Sequence, residues 1–376
     1  MQYIVYMMIF FSGIALLSII FEDSVKILNN ATAKFIGLLA IFVYLWFVFN
    51  RPYSFRDTKT YQSIYESAQW SHLLNFNLME REPKTGMEYG FLILMLIFRD
   101  FCISFRLFST IISVFFLGTC YKFTKYIFNR ASTYFYHHSK YFTFFLFFGI
   151  YLSYFGTFYN FVAIRACICI AFLLISSYFA IEKKPISMVV MFLIAFSMQR
   201  FAILGLIPIY IFLVWNKKLS ARQFRIIWII LGVFIIISYV YQNIIFIKVW
   251  GIVGKLIKGF YDFKFDKQNL SITRGFLYGA YWFTGLIIYK GKRTDQISNK
   301  ITWIYLCGLI LCVLFSGYAS AYRIIDFMYI FTIPLTYSIF YNWKGNRLSK
   351  KIIYLVQHML FFAIMTKYYI FWYLYG

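Results

Sequence analysis

Residues 161–181, FVAIRACICIAFLLISSYFAI, are the stretch that decides the fold class of this chain. The run is as long as the roughly 20 residues that an α-helix needs to cross a bilayer, and Arg165 is its only charge. Because lipid offers no partner to backbone N–H and C=O groups, a spanning segment of this kind must be helical. The stretch therefore predicts a transmembrane helix, and the basic pair Lys183-Lys184 just beyond it helps to orient that helix.

The composition of the whole chain extends this conclusion. Hydrophobic residues make up 62% of the chain and charged residues 13%, whereas soluble domains carry about 25% charged residues. At roughly 20 residues per span, 376 residues allow about twelve helices in a single membrane domain, 1–376. We therefore predict an all-α polytopic membrane protein with spans near 3–21, 35–49, 103–121, 141–158, 161–181, 186–199, 201–215, 226–247, 275–289, 301–317, 323–341 and 352–371. The polar pair Gln199-Arg200 separates two of these spans, which could alternatively form one long helix.

Residues 89–98 are apolar but too short to span, and we predict that they are re-entrant or interfacial. If they do not cross, one side of the membrane receives 20 of the 37 basic residues but only 4 of the 13 acidic ones. If they do cross, the basic clusters in 122–140 and 216–225 face outward. The positive-inside rule favours the first arrangement, with both termini outside. The two longer loops, 51–88 and 248–274, are then extracytoplasmic.

The net charge of +24 does not indicate a nucleic-acid-binding protein. The basic residues form short clusters between apolar runs, where they orient helices, and no basic stripe lies on a separate domain. The six cysteines form no CxxC pair, and no HExxH, P-loop or GxGxxG pattern is present. The sequence thus predicts no metal and no cofactor.

Several arginines are expected at the outer side of the membrane, three of them within predicted spans. A charge at that depth costs several kcal/mol unless it faces a polar cavity or a partner. Snorkelling toward headgroups, or pairing of Arg323 with Asp326, would satisfy them locally. An anionic ligand would satisfy them together, and a lipid-linked diphosphate fits because guanidinium binds phosphate through two hydrogen bonds and keeps its charge. The candidate diphosphate ligands are Arg51, Arg56, Arg165, Arg200, Arg274 and Arg323.

The first outer loop supplies candidate carboxylates. Asp57, Tyr61 and Tyr65 recur every four residues, so on a helix they share one face. Glu82 and Glu88 lie near the end of the same loop. An ordinary solvated loop whose charges pair at the surface is an equally good interpretation of this loop alone.

The order of these motifs resembles the EpsG group of Wzy-type polysaccharide polymerases. The resemblance covers most of the chain and lies in the following blocks: Arg51 and Asp57-x3-Tyr61-x3-Tyr65, then Glu88-Tyr-Gly-Phe91, Ile164-Arg165, SMQRFAILGLIPIYIF at 197–212, and Tyr322-Arg323-Ile324.

The resemblance implies a GT-C-like, metal-independent, inverting glycosyltransferase in the bacterial cytoplasmic membrane. Such an enzyme would transfer a glycan from undecaprenyl diphosphate to one more lipid-linked repeat unit on the outer face. Its product would be an O-antigen, a capsule or an exopolysaccharide. A flippase would deliver the repeat units, and a chain-length regulator would set their number.

In that reaction a carboxylate would deprotonate the acceptor hydroxyl, and we rank Glu88 before Asp57 and Glu82. The same arginines would hold the leaving diphosphate. Tyr61, Tyr65 and Gln199 are candidates to contact sugar rings, although membrane anchoring is an alternative role for the tyrosines.

Other functions are compatible with the same features. A flippase or exporter of the lipid-linked glycan would also need arginines and about twelve spans. An O-antigen ligase is expected to carry a functional histidine in its outer loop, and His72 is the only histidine there. A membrane acyltransferase would be expected to use an intramembrane histidine, and none is well placed in the sequence.

Overall fold

The structure is a computed structural model that describes residues 2–24, 30–52, 56–74, 88–132, 144–240, 272–290, 295–315, 321–341, 343 and 346–375. Helices dominate these residues, and no strand occurs among them. The chain divides into two compact units. The first consists of Met1–Tyr126, Ser139–Ile209 and Met365–Gly376, and the second of Ile127–His138 and Tyr210–Ile364. The prediction of one membrane domain over 1–376 stays a prediction.

The first unit contains nine α-helices and two short 3₁₀ segments in its described part. The helices are α1 (Gln2–Ser24), α2 (Asn30–Phe49), α3 (Arg56–Ser67), α4 (Tyr89–Asp100), α5 (Phe105–Ser132, whose end belongs to the second unit), α6 (Phe144–Ser153), α7 (Phe155–Phe161), α8 (Ile164–Ile181) and α9 (Pro185–Met198). The 3₁₀ segments are Trp70–Leu74 and Arg200–Gly205. α8 and α9 pack side by side, and α4 lies against α9 and α3.

Among the described residues, four helices are long and apolar enough to cross a membrane, and the count there rises to six if each of two bent pairs is one span. The four are Phe105–Arg130, Ile164–Ile181, Ala221–Val240 and Gln296–Leu314. Shorter apolar helices cover Tyr3–Ser18, Phe35–Phe49, Pro185–Met198 and Arg200–Leu213. The described residues therefore give a polytopic, all-helical chain. The count of about twelve spans and the GT-C-like fold stay predictions.

The predicted span 141–158 differs from the structure, because its described part is not one continuous helix. α6 ends at Ser153, and α7 leaves at 58° from it. Gly156 allows the bend, since a Cβ there would lie 2.5 Å from the ring of Tyr151. A second break at Val162 and Ala163 separates α7 from α8, so the span predicted at 161–181 starts at residue 164 instead.

The second unit contains α11 (Ala221–Val240), α12 (Ile272–Lys290), α13 (Gln296–Leu314), α14 (Ala321–Tyr329) and α15 (Thr332–Tyr341). Two more helices are shared with the first unit: α10 (Leu206–Leu213), which belongs to the second unit from Tyr210, and α16 (Arg347–Tyr375), which belongs to it as far as Ile364. The predicted span 323–341 is also bent, by 45° between α14 and α15. Pro334 explains the bend, because proline lacks an N–H and its ring clashes with the carbonyl four residues earlier. That carbonyl, of Ile330, instead accepts the N–H of Ile333 at 3.2 Å.

Residues 89–98 form part of α4, a helix of 12 residues. At 1.5 Å per residue it is about 18 Å long, well short of the roughly 30 Å hydrocarbon core. Phe91, Leu92, Met95 and Leu96 are buried on one face of this helix. Its length agrees with the prediction that this segment does not cross.

Candidate active site

Three separate helical segments begin around the carboxylate of Glu88. Glu88 is the residue before α4, and its extended backbone leaves its side chain free of any capping bond to α4 itself. Its Oε2 lies 2.6 Å from Nη1 of Arg165, in the first turn of α8. Its Oε1 accepts the backbone N–H of Arg200 at 3.1 Å, where the 3₁₀ segment starts. One carboxylate therefore joins α4, α8 and the segment after α9.

The ion pair is largely, but not completely, withdrawn from solvent. The side chain of Glu88 is 12% exposed and that of Arg165 is 18% exposed. In such a setting the attraction between the charges is screened much less than at a surface, where an ion pair contributes about 0–1 kcal/mol. Both side chains still reach the surface of the unit, so a ligand can approach them.

The helix ends around Glu88 favour a further anion. Arg165 places one positive charge against the single negative charge of Glu88, and Arg200 reaches Glu88 through its backbone N–H. The N-termini of α4 and α8 add the partial positive charge of helix dipoles. An arginine in the first turn of α8 is unfavourable for that helix unless an anion is near, and Glu88 supplies one in the resting protein. The site can therefore bind a phosphate or carboxylate group.

Gly90 fixes the distance between α4 and α9. A Cβ at this position would lie 2.2 Å from Oγ of Ser197 and 2.8 Å from its backbone oxygen. Rotation of the Ser197 side chain would relieve the first contact but not the second. This close approach holds Glu88 beside Arg200, which follows α9 by two residues.

Replacing Gly90 by alanine is expected to displace α4 from α9 and to loosen the bond from Arg200 to Glu88. Overpacking of this kind costs about 1–3 kcal/mol, so we expect a lower unfolding temperature and reduced activity in the same variant. Thermal unfolding of the purified protein checks the first effect. Gly13→Ala is the matched control, because a Cβ there meets no atom within 4 Å. Equal stability of both variants would contradict the proposed packing role.

Arg51 binds a backbone carbonyl in the structure, and its role as a diphosphate ligand stays a prediction. Its side chain is buried, with 1% exposure, and Nη1 donates to the carbonyl of Asn160 at 2.5 Å. Thr58 donates to the next carbonyl, that of Phe161, at 2.9 Å. These two bonds satisfy carbonyls at the end of α7, where the helix breaks before α8. We therefore assign Arg51 to holding the α7–α8 break, and so the start of α8, in place.

Asn160 is a polar hub that the sequence analysis did not single out. Its Nδ2 donates to the hydroxyls of Tyr44 and Tyr151, and its Oδ1 accepts the thiol of Cys167 at 3.0 Å. It is completely buried. The sequence did contain a signal for this role, because Asn160 is a polar residue between two aromatic residues, five positions before Arg165.

Tyr61 and Tyr65 belong to α3 and lie on its buried face. The ring of Tyr61 packs edge-on against Phe91 of α4. Tyr65 packs on Phe105 and Phe108, and its hydroxyl donates to the carbonyl of Ile103 at 2.6 Å. Burial raises the pKa of Tyr65, so the hydroxyl stays a proton donor. These contacts attach α3 to α4 and α5, and a sugar-contacting role for both tyrosines stays a prediction.

Gln199 directly precedes Arg200 in the sequence. It therefore lies beside the Glu88 cluster, which consists of Glu88, Arg165 and Arg200. Its extended backbone ends α9, and its side chain is 3% exposed. Its Oε1 is buried without a hydrogen-bond partner among the described residues. A buried, unsatisfied carbonyl oxygen is costly, which marks this position as one where a ligand hydroxyl could bind.

The other predicted site residues are placed as follows. Arg323 belongs to α14 in the second unit, where Asp326 is fully buried and accepts a hydrogen bond from the hydroxyl of Tyr281. Glu82 lies outside the described residues. The side chains of Arg56, Asp57 and Arg274 also lie outside the described part, although their backbones belong to α3 and α12. In the part of the chain that is described, no group of three or more His, Cys, Asp or Glu side chains could hold a metal ion.

A family model matches residues 35–375, nearly the whole chain, and its description is EpsG family. The chain belongs to the EpsG family. EpsG proteins are Wzy-like polymerases, and Glu88, Arg165 and Arg200 all lie within the matched residues. No curated protein and no solved structure matches the chain. The resemblance seen in the outer-loop and Ile164-Arg165 motifs is thus confirmed, and this EpsG chain is assigned to the synthesis of surface polysaccharide by its family.

Proposed function

We propose that this chain polymerises undecaprenyl-diphosphate-linked oligosaccharide repeat units into a bacterial surface polysaccharide, an O-antigen, a capsule or an exopolysaccharide. The reaction would occur on the outer face of the cytoplasmic membrane. Membership of the EpsG family supports the reaction class. The observation that carries the proposal is the Glu88–Arg165 pair, held at 2.6 Å between the starts of α4 and α8.

The donor diphosphate binds at Arg165 and Arg200. The diphosphate binds Arg165 either in place of the Glu88 carboxylate or together with it. This is possible because a guanidinium has five donors and binds phosphate in the same geometry as a carboxylate. The resting ion pair with Glu88 keeps the arginine oriented before the donor arrives. The N-terminus of α8 adds favourable charge for a group at this position.

The chemical step is a single displacement with inversion at the anomeric carbon. Glu88 accepts the proton of the acceptor hydroxyl, and the acceptor oxygen forms the new bond to the anomeric carbon. The bond from that carbon to the diphosphate breaks, and its electron pair leaves with the lipid diphosphate. Arg165 and Arg200 stabilise this developing charge, which is commonly the largest catalytic contribution. Arginines supply the charge that a metal supplies in other enzymes, so the step needs no metal.

Glu88 is the candidate carboxylate whose side chain the structure describes, and it lies against Arg165. When the diphosphate binds Arg165, Oε2 of Glu88 loses its ionic partner and remains close to the donor. The same carboxylate then lies next to both the leaving group and an incoming hydroxyl. Asp57 and Glu82 remain alternative bases for the acceptor. The buried Oε1 of Gln199 is available to accept a hydrogen bond from a sugar hydroxyl beside the cluster.

The proposed reaction defines the partners of the protein. The surrounding bilayer holds the lipid-linked glycan, and a separate flippase brings that glycan to the outer face. A chain-length regulator would limit the number of transfers. No nucleic acid takes part.

Deletion of the gene in its host distinguishes polymerisation from flipping. We expect surface glycan that carries a single repeat unit, because delivery continues while joining stops. Gel electrophoresis of the surface glycan separates single units from long chains. Loss of all surface product would instead identify a flippase or exporter, and full-length chains that stay unattached to their final lipid acceptor would identify a ligase.

A further inference from the structure

An elongated cavity of about 510 Å³ lies between α5 and α8 in the first unit. Its walls include Phe115, Gly118 and Lys122 of α5, and Leu174 and Tyr178 of α8. The volume falls in the range of about 300–1,000 Å³ that is usual for ligand sites. The cavity shares no lining residue with the Glu88 cluster.

Two residues near the ends of the α5 wall, Phe115 and Tyr126, each form an aromatic pair with α8. Phe115 meets Phe172 with ring centroids 5.3 Å apart, and Tyr126 meets Tyr178 at 4.7 Å. Residues 115 to 126 of α5 are about 16 Å apart along the helix, which is the length of an extended lipid chain segment. Between the two pairs, a Cβ on Gly118 would meet no atom within 4 Å. Protein interiors are close-packed, so an apolar slot of this size in a membrane protein is expected to be filled by a lipid acyl chain.

The slot is apolar along its length and basic at one end. Lys122 lines that end and is exposed, and Lys125 lies one turn further along α5. Lys183 and Lys184 follow α8 at the same end. Glu182 is the acidic residue there, and its carboxylate accepts the hydroxyl of Tyr126. The surplus of basic side chains matches an anionic headgroup above an apolar tail.

We propose that this slot holds one acyl chain of an anionic phospholipid of the bilayer, with Lys122 beside the phosphate and Lys125, whose Nζ lies over the ring of Tyr121, adding positive charge from one turn further along α5. The lipid bridges α5 and α8 where Gly118 leaves them apart. It thereby stabilises α8, whose first turn carries Arg165. This inference concerns a lipid site outside the proposed active site and does not depend on the polymerase activity.

Lipid binding to the purified full-length protein in detergent tests the proposal. Dioleoyl phosphatidylglycerol, dioleoyl phosphatidylcholine and undecaprenyl phosphate are added separately at equal concentrations. Lipid retention is measured by native mass spectrometry, and the unfolding temperature is measured in parallel. Gly118→Leu fills the slot, and Lys122→Gln with Lys125→Gln removes charge from its basic end. The matched controls are Gly13→Leu, which also has open space around it, and Lys218→Gln on an exposed loop.

Phosphatidylglycerol is expected to bind the unmodified protein and to raise its unfolding temperature more than phosphatidylcholine does. Gly118→Leu is expected to abolish retention of one lipid, and the double lysine variant to weaken phosphatidylglycerol binding by about tenfold or more. Both controls should bind as the unmodified protein does. Undiminished retention by Gly118→Leu, with normal folding, would overturn the proposal. A response to undecaprenyl phosphate but not to phosphatidylglycerol would overturn the choice of a phospholipid.

Discussion

Replacing Arg165 by glutamine is expected to reduce polymer formation by about 100- to 1,000-fold, the usual loss when one donor that stabilises transition-state charge is removed. Glutamine can still donate a hydrogen bond to Glu88, but it cannot stabilise the charge of the leaving diphosphate. Single repeat units should continue to reach the outer surface. The measurement is the length distribution of surface glycan in a strain that lacks its own polymerase and expresses the variant.

Two further variants separate the charge of Arg165 from its geometry. Arg165→Lys keeps the charge but loses bidentate binding, so an intermediate loss is expected. Arg222→Ala removes an exposed arginine of α11 and should leave chain length unchanged. Long-chain polysaccharide at the normal level from Arg165→Gln, at equal protein abundance, would rule out the diphosphate role.

Replacing Glu88 by glutamine is expected to lower polymer output by about 100- to 10,000-fold, the range that general-base catalysis contributes. The variant keeps the size of the side chain and a carbonyl oxygen that can accept the N–H of Arg200. It cannot take the proton of the acceptor hydroxyl. Polymer formation by the purified variant on a lipid-linked repeat unit measures the effect without differences in delivery.

Asp57→Asn and Glu66→Gln are the comparisons for Glu88. Glu66 is an exposed carboxylate of α3 that accepts a hydrogen bond from the side chain of Gln62 at 2.8 Å, so its loss should have little effect. Asp57 ranks second as a base, so Asp57→Asn should reduce output less than Glu88→Gln does. A large loss in Asp57→Asn together with near-normal activity in Glu88→Gln would reassign the base.

Much of the fold class follows from the sequence, because apolar length and charge placement act locally. The run 161–181 shows why, since α8 covers most of it. The break at Gln199-Arg200 was also visible, because two polar residues interrupt an apolar stretch there. The bends after Ser153 and Tyr329 were not predicted. The first bend depends on the close contact of Gly156 with Tyr151, which becomes known only from the structure, whereas Pro334 is a local signal for the second bend that the sequence analysis did not use.

The candidate site was predicted only in part, because its members are distant in the sequence. Glu88 and Arg165 were each singled out, but 77 positions separate them and no local pattern pairs them. Arg51 was grouped with the diphosphate ligands because its charge lies near a predicted span. One of its partners in the structure, the backbone carbonyl of Asn160, lies 109 positions away in the sequence. The sequence shows the charge of a side chain and the periodicity of hydrophobic residues. Which backbone carbonyls at helix ends are available as hydrogen-bond acceptors is seen only in the folded structure.

The account depends most on the claim that this chain itself joins lipid-linked repeat units. The direct measurement reconstitutes the purified protein in liposomes with a single synthetic lipid-linked repeat unit as both donor and acceptor. Glycan length and released undecaprenyl diphosphate are then followed over time. We predict a ladder of polymers, with one lipid diphosphate released for each bond formed, and a loss of both in Arg165→Gln. Repeat units that stay single while the folded protein binds them would contradict the account.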